Sequence, residues 1–260
     1  MKSNNFISRL KSEIKYYSKK VWTLEDVGVF WDTIDDYDDI NSNIYPYKQR
    51  FLNSKELFES LNLQNFEPNN VLDIQCRTGK GSIFWSKIFN NMRIYACDFS
   101  KKFLEKTKKN LFDHNLNFET QLIKNFPLNF KNNFFDFIIT YETLEHVCEY
   151  KTFIKELSRV LKKDGIMILT CPNISWEINH FLSTVLGINH SEGPHKFLAL
   201  KKINAELIKN NLNVLSYNTS IFLPFNNSFS IRIDGILKKI IPSFLKKIFF
   251  LRHSFIIQKI

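Results

Sequence analysis

Three groups of residues have the types and spacings that could do chemistry. The first is the acid Asp73, at the end of a short apolar run in VLDIQCRTGKGS, followed by a turn that holds Gln75, Arg77 and Gly79. Backbone N–H groups at such a turn, with a helix start behind them, suit a polar or anionic ligand. Roughly 20 residues later a second run, YACD, ends in Asp98, whose carboxylate can accept both hydrogen bonds of a ribose diol. Strand, glycine-bearing turn, helix, strand and acid is a nucleoside-binding arrangement, although an ordinary βαβ turn with an incidental acid would read the same way.

The second group is YETLEHV, which follows another strand-like run and holds Tyr141, Glu142 and His146. His146 can take a proton near neutral pH, so it is the candidate catalytic base, with an architectural role as the alternative. The third is CPNISWEINHFLSTVLGINHSEGPHKF, which gathers His180, His190 and His195, three of the six histidines, beside Trp176, Glu177 and Glu192. Glu177 and His180 stand three apart and share a face if the segment is helical. HSEGPH is a turn, punctuated by Gly193 and Pro194. These residues can recognise a polar substrate, or pair with one another to fix a lid. Their spacings match no compact metal signature, so no metal is expected.

The elements that must position these groups are legible from about Asn70 onward. NVLDI, MRIYAC, LNFETQLI, FFDFIIT, GIMILTC, LNVLSYNTSIF and SFIIQKI read as strands, separated by helical patterns such as SKKFLEKTKKNLF and YKTFIKELSRVLKK. That alternation predicts an open, doubly wound α/β sheet covered on both faces. VLDI and GIMILTC are nearly continuous apolar runs, as central strands require. KELSRVLKKDGIMIL reads as a helix ending in basic residues, a glycine turn and a strand. Residues 1–69 read as a helical cap, and residues 70–260 as the main domain with insertions at about 172–211 and 226–250.

The segment NFPLNFKNNFFDFIITYETLEHVCEYKTFIKELSRVLKKDGIMILTCPN resembles the class I S-adenosylmethionine-dependent methyltransferases: a proline-bearing loop, FD and a strand, an E-x-L-E-H turn, a helix, then RVLK, G and a strand. With VLDIQCRTGKGS and YACDFSKKFLEKTKKNL the resemblance covers roughly residues 70–173. It implies a Rossmann-like, mostly parallel seven-stranded sheet with the last strand antiparallel, and S-adenosylmethionine as cofactor. Asp73 and the turn from Gln75 to Gly81 would surround its methionine part, Asp98 would take the ribose hydroxyls, and Phe99 would flank the adenine. Tyr141 and Glu142 would lie near the methyl group, and FWDTIDDYDDIN would cover the cofactor, with Tyr37, Tyr45 and Arg50 as lid contacts.

The sequence departs from that family at three positions. Gln75 and Arg77 replace two of the three glycines of the usual G-x-G-x-G turn, and Leu122 stands where an acid often meets the adenine amino group. Arg77 either contacts the cofactor carboxylate, as a guanidinium fork suits, or is a surface arginine at a helix start. The expected function is methylation of a small molecule, with oxygen as the preferred acceptor atom and a metabolite, sugar or isoprenoid-linked compound as substrate. The rival is a non-catalytic scaffold of the same fold that binds a partner or a membrane surface. A nicotinamide-dependent oxidoreductase would want an intact G-x-G-x-x-G turn.

Composition sets outer limits. The chain has 260 residues, 44% hydrophobic and 24% charged, with no apolar run long enough to cross a bilayer, and its basic start MKSNNFISRLKSE lacks a secretory apolar region. A cytoplasmic location is expected. Cys76, Cys97, Cys148 and Cys171 form no CxxC pair and read as small buried residues. A net charge of +10 invites nucleic acid, but no recognition motif accompanies it, so no specific nucleic acid is expected. The basic and apolar stretch DGILKKIIPSFLKKIFFLRH could instead give peripheral membrane contact through residues 236–252, or pack beside the last strand.

Overall fold

The structure is a computed structural model and describes residues 5–63 and 66–260. The first four residues of the expected cap, and positions 64 and 65, lie outside the described residues. Seven strands form one sheet in the order β3-β2-β1-β4-β5-β7-β6. They are β1 (Asn70–Ile74), β2 (Arg93–Asp98), β3 (Asn117–Leu122), β4 (Phe135–Tyr141), β5 (Leu161–Pro172), β6 (Leu212–Ser220) and β7 (Arg252–Lys259). β7 runs antiparallel to both β5 and β6, while β1 to β5 pair in parallel. This is a Rossmann-like doubly wound sheet with its last strand reversed, as the resemblance implies.

Eleven helices are described: α1 (Phe6–Ser18), α2 (Leu24–Asp32), α3 (Tyr37–Asn41), α4 (Tyr45–Glu59), α5 (Lys80–Trp85), α6 (Lys101–Asp113), α7 (Tyr150–Val160), α8 (Glu177–Val185), α9 (Leu200–Lys209), α10 (Ser228–Ile240) and α11 (Ser243–Phe249). Strand formation follows burial: Val71, Leu72, Ile74, Phe137, Ile138 and Ile139 are wholly shielded, so β-branched and aromatic side chains fill both faces of the central strands. Phe137 packs its ring 5.2 Å from Trp85 of α5 and 5.6 Å from Phe89, and Phe58 of α4 closes the same aromatic cluster.

One helix is shorter than its pattern predicts. The basic end of YKTFIKELSRVLKK leaves the helix at Val160, and Leu161 already pairs with Phe135 as the first residue of β5. The next pair is Phe137 with Ile166, so Lys162 to Gly165 form a bulge, with Asp164 at φ 63°. Pairing with β4 wins over the helix propensity of the lysines.

The N-terminal helices do not form one lid. α1 lies along α8, α2 along α6, and α4 against β6 and β7. Among the described N-terminal helices, α2 and the start of α3 meet the turns after β1 and β2, through Asp32, Asp38 and Gly28. Gly28 lets α2 come this close, since a Cβ there would stand 2.0 Å from the Phe99 carbonyl oxygen. Among the described residues no helix is long and apolar enough to cross a membrane. All four cysteines are free, and Cys76, Cys97 and Cys171 are buried.

Candidate active site

The turn after β1 keeps the backbone of a glycine turn without its glycines. Gln75, Arg77 and Gly79 take φ of 54°, 53° and 77°, all in the left-handed region. For Gln75 and Arg77 that conformation costs roughly 1–2 kcal/mol each. The side chains then occupy room that glycine would leave. Arg77 is not a surface residue: it is buried, and its Nη1 and Nη2 donate to the carbonyls of Tyr141 and Glu142 at 2.7 and 2.8 Å, which leaves Nε without a partner. The Gln75 amide is buried with no hydrogen-bond partner on either polar atom.

The two acids are fixed by backbone. Asp73 Oδ2 accepts from the Ser82 N–H at 3.0 Å and from the Ser82 hydroxyl at 2.6 Å, capping the start of α5. Burial pushes its carboxyl up to about 6, against the pull of the Ser82 hydrogen bonds and of Arg77. Asp98 accepts from the Arg77 and Ser100 N–H groups, both at 2.8 Å, and burial pushes it up to about 7 despite those donors and the Arg77 charge. Leu122 pairs with Asp98 across β2 and β3, and Phe99 is buried beneath α2. The cap is latched directly above. Ser100 Oγ donates to Asp32 at 2.6 Å and Thr78 Oγ1 to Asp38 at 2.7 Å. Asp98 is therefore 0% exposed.

At the end of β4, Tyr141 sends its hydroxyl away from the cleft to accept from Trp85 Nε1 at 2.9 Å. Glu142, at φ 51°, is held between Arg50 at 3.2 Å and Arg252 at 2.5 Å. Burial alone would raise its carboxyl, but Arg252, Arg50 and Arg77 bring it below the usual range. His146, in the 3-10 turn Leu144–His146, is fully buried and 5.7 Å from the Trp31 ring. Burial pushes it down to about 3, so the imidazole is neutral.

The histidine-rich segment joins this end of the site in part. Glu192 lies 3.8 Å from His146 and 3.7 Å from His180, and the His195 ring is 5.1 Å from that of His180. Burial would raise Glu192, yet the hydrogen bond and charge of His180, first among the imidazoles around it, hold it well below the carboxylate range. His180 is raised: burial opposes its charge, and Glu192 outweighs burial. Gly193, at φ 70°, folds this loop against Phe30, whose ring leaves no room for a Cβ.

Two expected substrate contacts, Trp176 and Glu177, are engaged elsewhere, and the third, His190, stays beside the site. Trp176 Nε1 donates to the Phe249 carbonyl at 2.9 Å, on α11. Glu177 accepts from the Phe197 N–H at 3.3 Å. His190 packs against Trp31 and Tyr37 beneath the cap. Of the expected lid contacts, Tyr37 and Arg50 line the site, but the Tyr45 hydroxyl donates to Asp234 on α10 at 2.7 Å. The sequence reading passed over Glu145, Arg252 and Glu13. Glu145 is buried, and burial with the charges of Glu142 and Glu192 raises its carboxyl well above normal. Arg252 belongs to a strand 110 residues from its partner Glu142, so no local pattern marks it. Glu13 of α1 is 1% exposed, and burial raises it against the pull of Ser191 and His180. The expectation of no metal rested on compact spacings, yet Glu145, His146 and Glu192 bring their ligand atoms within 4.8 Å of one another.

A parallel sheet with a reversed seventh strand, a left-handed turn after β1 and a buried acid ending β2 define a class I S-adenosylmethionine-dependent methyltransferase fold. Residues 72–169 match the family described as "Methyltransferase domain". The chain is 30% identical over 142 residues to demethylmenaquinone methyltransferase of Staphylococcus saprophyticus, covering 54% of this chain and 59% of that protein. It is 24% identical over 180 residues to the ubiquinone biosynthesis O-methyltransferase of Bartonella tribocorum, covering 66% of this chain and 71% of the other. Geranyl diphosphate C-methyltransferase from Streptomyces coelicolor superposes with a TM-score of 0.64 at 11% identity, covering 91% of this chain and 98% of that one. The [4+2]-cyclase SpnF does so with 0.64 at 14% identity, covering 91% and 96%. A cyclase among the neighbours shows why the fold alone does not decide the reaction.

The residues present fit the family's cofactor, S-adenosylmethionine, by their unmet hydrogen bonds. Both amide atoms of Gln75, Nε of Arg77 and Nε1 of Trp31 are buried without partners around the ends of β1 and β4. Each such group costs about 1–3 kcal/mol while unpaired, and a polar occupant recovers that cost. Asp98 uses two of its acceptor positions on backbone N–H groups and has others for a diol.

Proposed function

We propose that the protein transfers a methyl group from S-adenosylmethionine to a small molecule, with a hydroxyl oxygen as acceptor. The observation that carries this reading is the pairing of a diol-accepting acid, Asp98 at the end of β2, with a buried polar cluster around His146 at the end of β4. The cofactor supplies an activated methyl group on a sulfonium. The chain's own residues do the rest. Asp98 holds the ribose end, Gln75 and the turn to Gly79 present polar groups to the amino-acid end, and Phe99 closes the adenine side. The latch from Asp32 and Asp38 excludes water. His146 Nε2 offers a lone pair where the acceptor proton leaves, and His180, Glu192 and His195 orient the acceptor. In-line displacement needs little else than this alignment.

The named relatives act on quinone and isoprenoid compounds by their names, which supports a metabolite, sugar or isoprenoid-linked hydroxyl here. The test is S-adenosylhomocysteine formation on a panel of phenols, sugars and prenylated phenols. Turnover on one member, lost in His146→Ala, supports the reading. No turnover on any member, with S-adenosylmethionine bound, favours the non-catalytic scaffold, for which the complete shielding of Asp98 speaks.

Peripheral contact with an anionic membrane belongs to the same reading. α10 and α11 expose Ile236, Ile240, Phe244, Ile248 and Phe249 within a basic stretch that includes Lys246 and Lys247. The protein would then work in the cytoplasm with this face on the bilayer. Sedimentation with anionic vesicles tests it, and no binding to them would remove it.

A further inference from the structure

The acceptor end of the site holds a cluster that methyl transfer alone does not require. The 3-10 turn Leu144–His146 and the loop around Glu192 are locked to each other: the Lys196 N–H donates to the Glu145 carbonyl at 2.8 Å. Trp22 Nε1 donates to the His146 carbonyl at 2.7 Å and fixes the turn from the other side. His146 Nδ1 lies 3.3 Å from the Pro194 carbonyl. A carbonyl only accepts, so Nδ1 carries the hydrogen, and Nε2 of the neutral ring presents its lone pair. That Nε2 is fully buried with no hydrogen-bond partner. Glu145 Oε2 is likewise buried without a partner.

Ligand atoms of Glu145, His146 and Glu192 stand within 4.8 Å of one another, with His146 Nε2 at 3.8 Å from Glu192 Oε2. Around a tetrahedral ion at about 2.0–2.1 Å from each ligand, neighbouring ligand atoms are about 3.4 Å apart. A small rotation of Glu192, whose side chain is 30% exposed, closes the difference. Of the other acids nearby, Glu142 is already paired with Arg50 and Arg252, and Glu13 belongs to α1 beside Ser191 and His180.

We propose that Glu145, His146 and Glu192 form a divalent transition-metal site with one nitrogen and two carboxylate oxygens, open on one side to an oxygen ligand. The imidazole favours zinc or iron(II) over magnesium, and the two carboxylates also suit manganese. The Pro194 carbonyl on His146 Nδ1, and His180 at 3.7 Å from Glu192 Oε1, serve as the outer partners that orient metal ligands. Three protein ligands with a vacant position are the pattern of ions that bind substrate. With the ion bound, His146 Nε2 is a ligand and no longer the base for the acceptor proton; a hydroxyl on the open position is held and made more acidic instead, which deepens the reading of the cluster as the acceptor end and rests on it.

The test uses the full chain stripped with chelator. Zinc and then manganese are titrated by calorimetry, with bound metal counted by mass spectrometry, on the wild type, Glu192→Gln and Glu145→Gln. The expected result is one equivalent of metal, weakened about 10-fold or more in both variants. Glu192→Gln keeps the side-chain volume, and melting curves of the metal-free wild type and of both variants show whether each is folded, so that a lost site is told from unfolding. Absence of binding, or binding unchanged in both variants, overturns the metal site. S-adenosylmethionine binding is measured on the same samples. If it persists while metal binding is absent, only the metal site fails, and if metal binds without it, only the methyltransferase reading fails.

Discussion

The guanidinium of Arg77 bridges the turn after β1 to the end of β4, donating to the Tyr141 carbonyl at 2.7 Å from a residue whose own backbone is left-handed. A glycine at this point would relax the backbone and open the cleft, but it would leave two carbonyls without their donor. Hydrogen bonds from a charged group contribute about 1.5–3 kcal/mol each, against roughly 1–2 kcal/mol for the strain. Arg77→Ala is expected to lower stability by about 2–4 kcal/mol in urea unfolding. Unchanged or higher stability would mean that burying the guanidinium costs as much as its two bonds return.

Gly28 and Gly235 form an internal comparison. A Cβ at position 28 meets the Phe99 backbone at 2.0 Å, whereas one at position 235 meets nothing within 4 Å. Gly28→Ala is expected to cost about 1–3 kcal/mol through overpacking. Gly235→Ala, inside α10, should be neutral or stabilise by up to about 1 kcal/mol through helix propensity. Thermal melts of both variants check this. Equal melting temperatures would contradict the close seating of α2.

Asp98 gives a pH dependence whose sign can be worked out. Its carboxyl, ordinarily at 3.8, is pushed up to about 7 by burial, with Arg77 and the backbone donors opposing. The folded protein therefore keeps a proton that the unfolded chain has released. The contribution of Asp98 to stability is full below pH 4 and is lost as pH rises to about 7. Ligand binding runs the other way, because the ionised form accepts both diol hydroxyls. S-adenosylmethionine affinity should rise through about pH 7, and Asp98→Asn should flatten the profile. A profile of unchanged slope in that variant would assign the proton to another group.

The latch over Asp98 predicts slow entry. Ser100 and Thr78 hold the cap through Asp32 and Asp38. Asp32→Ala with Asp38→Ala should speed cofactor association several-fold in stopped-flow fluorescence of Trp31. Unchanged association would show that the cap does not gate the site.

Much of this was legible in the sequence because it was local. NVLDI, FFDFIIT and GIMILTC announced buried strands by their apolar runs, and Asp73 and Asp98 stood at strand ends where the sheet places ligands. The substitutions Gln75 and Arg77 were visible, but not that the backbone would keep a glycine conformation and use the arginine as a bridge. Arg252 reaches Glu142 only because β7 is inserted between β5 and β6. The Glu145, His146 and Glu192 cluster joins two segments nearly fifty residues apart, so spacing rules for compact metal motifs could not find it. The end of α7 was misread because strand pairing at Leu161 overrides lysine propensity.

The most direct measurement is calorimetric titration of S-adenosylmethionine into the full chain and into Asp98→Ala. Binding in the micromolar range, abolished by the substitution, is the predicted result. No heat up to millimolar cofactor, or equal binding by both proteins, would contradict the assignment of the cofactor site to the ends of β1 and β2.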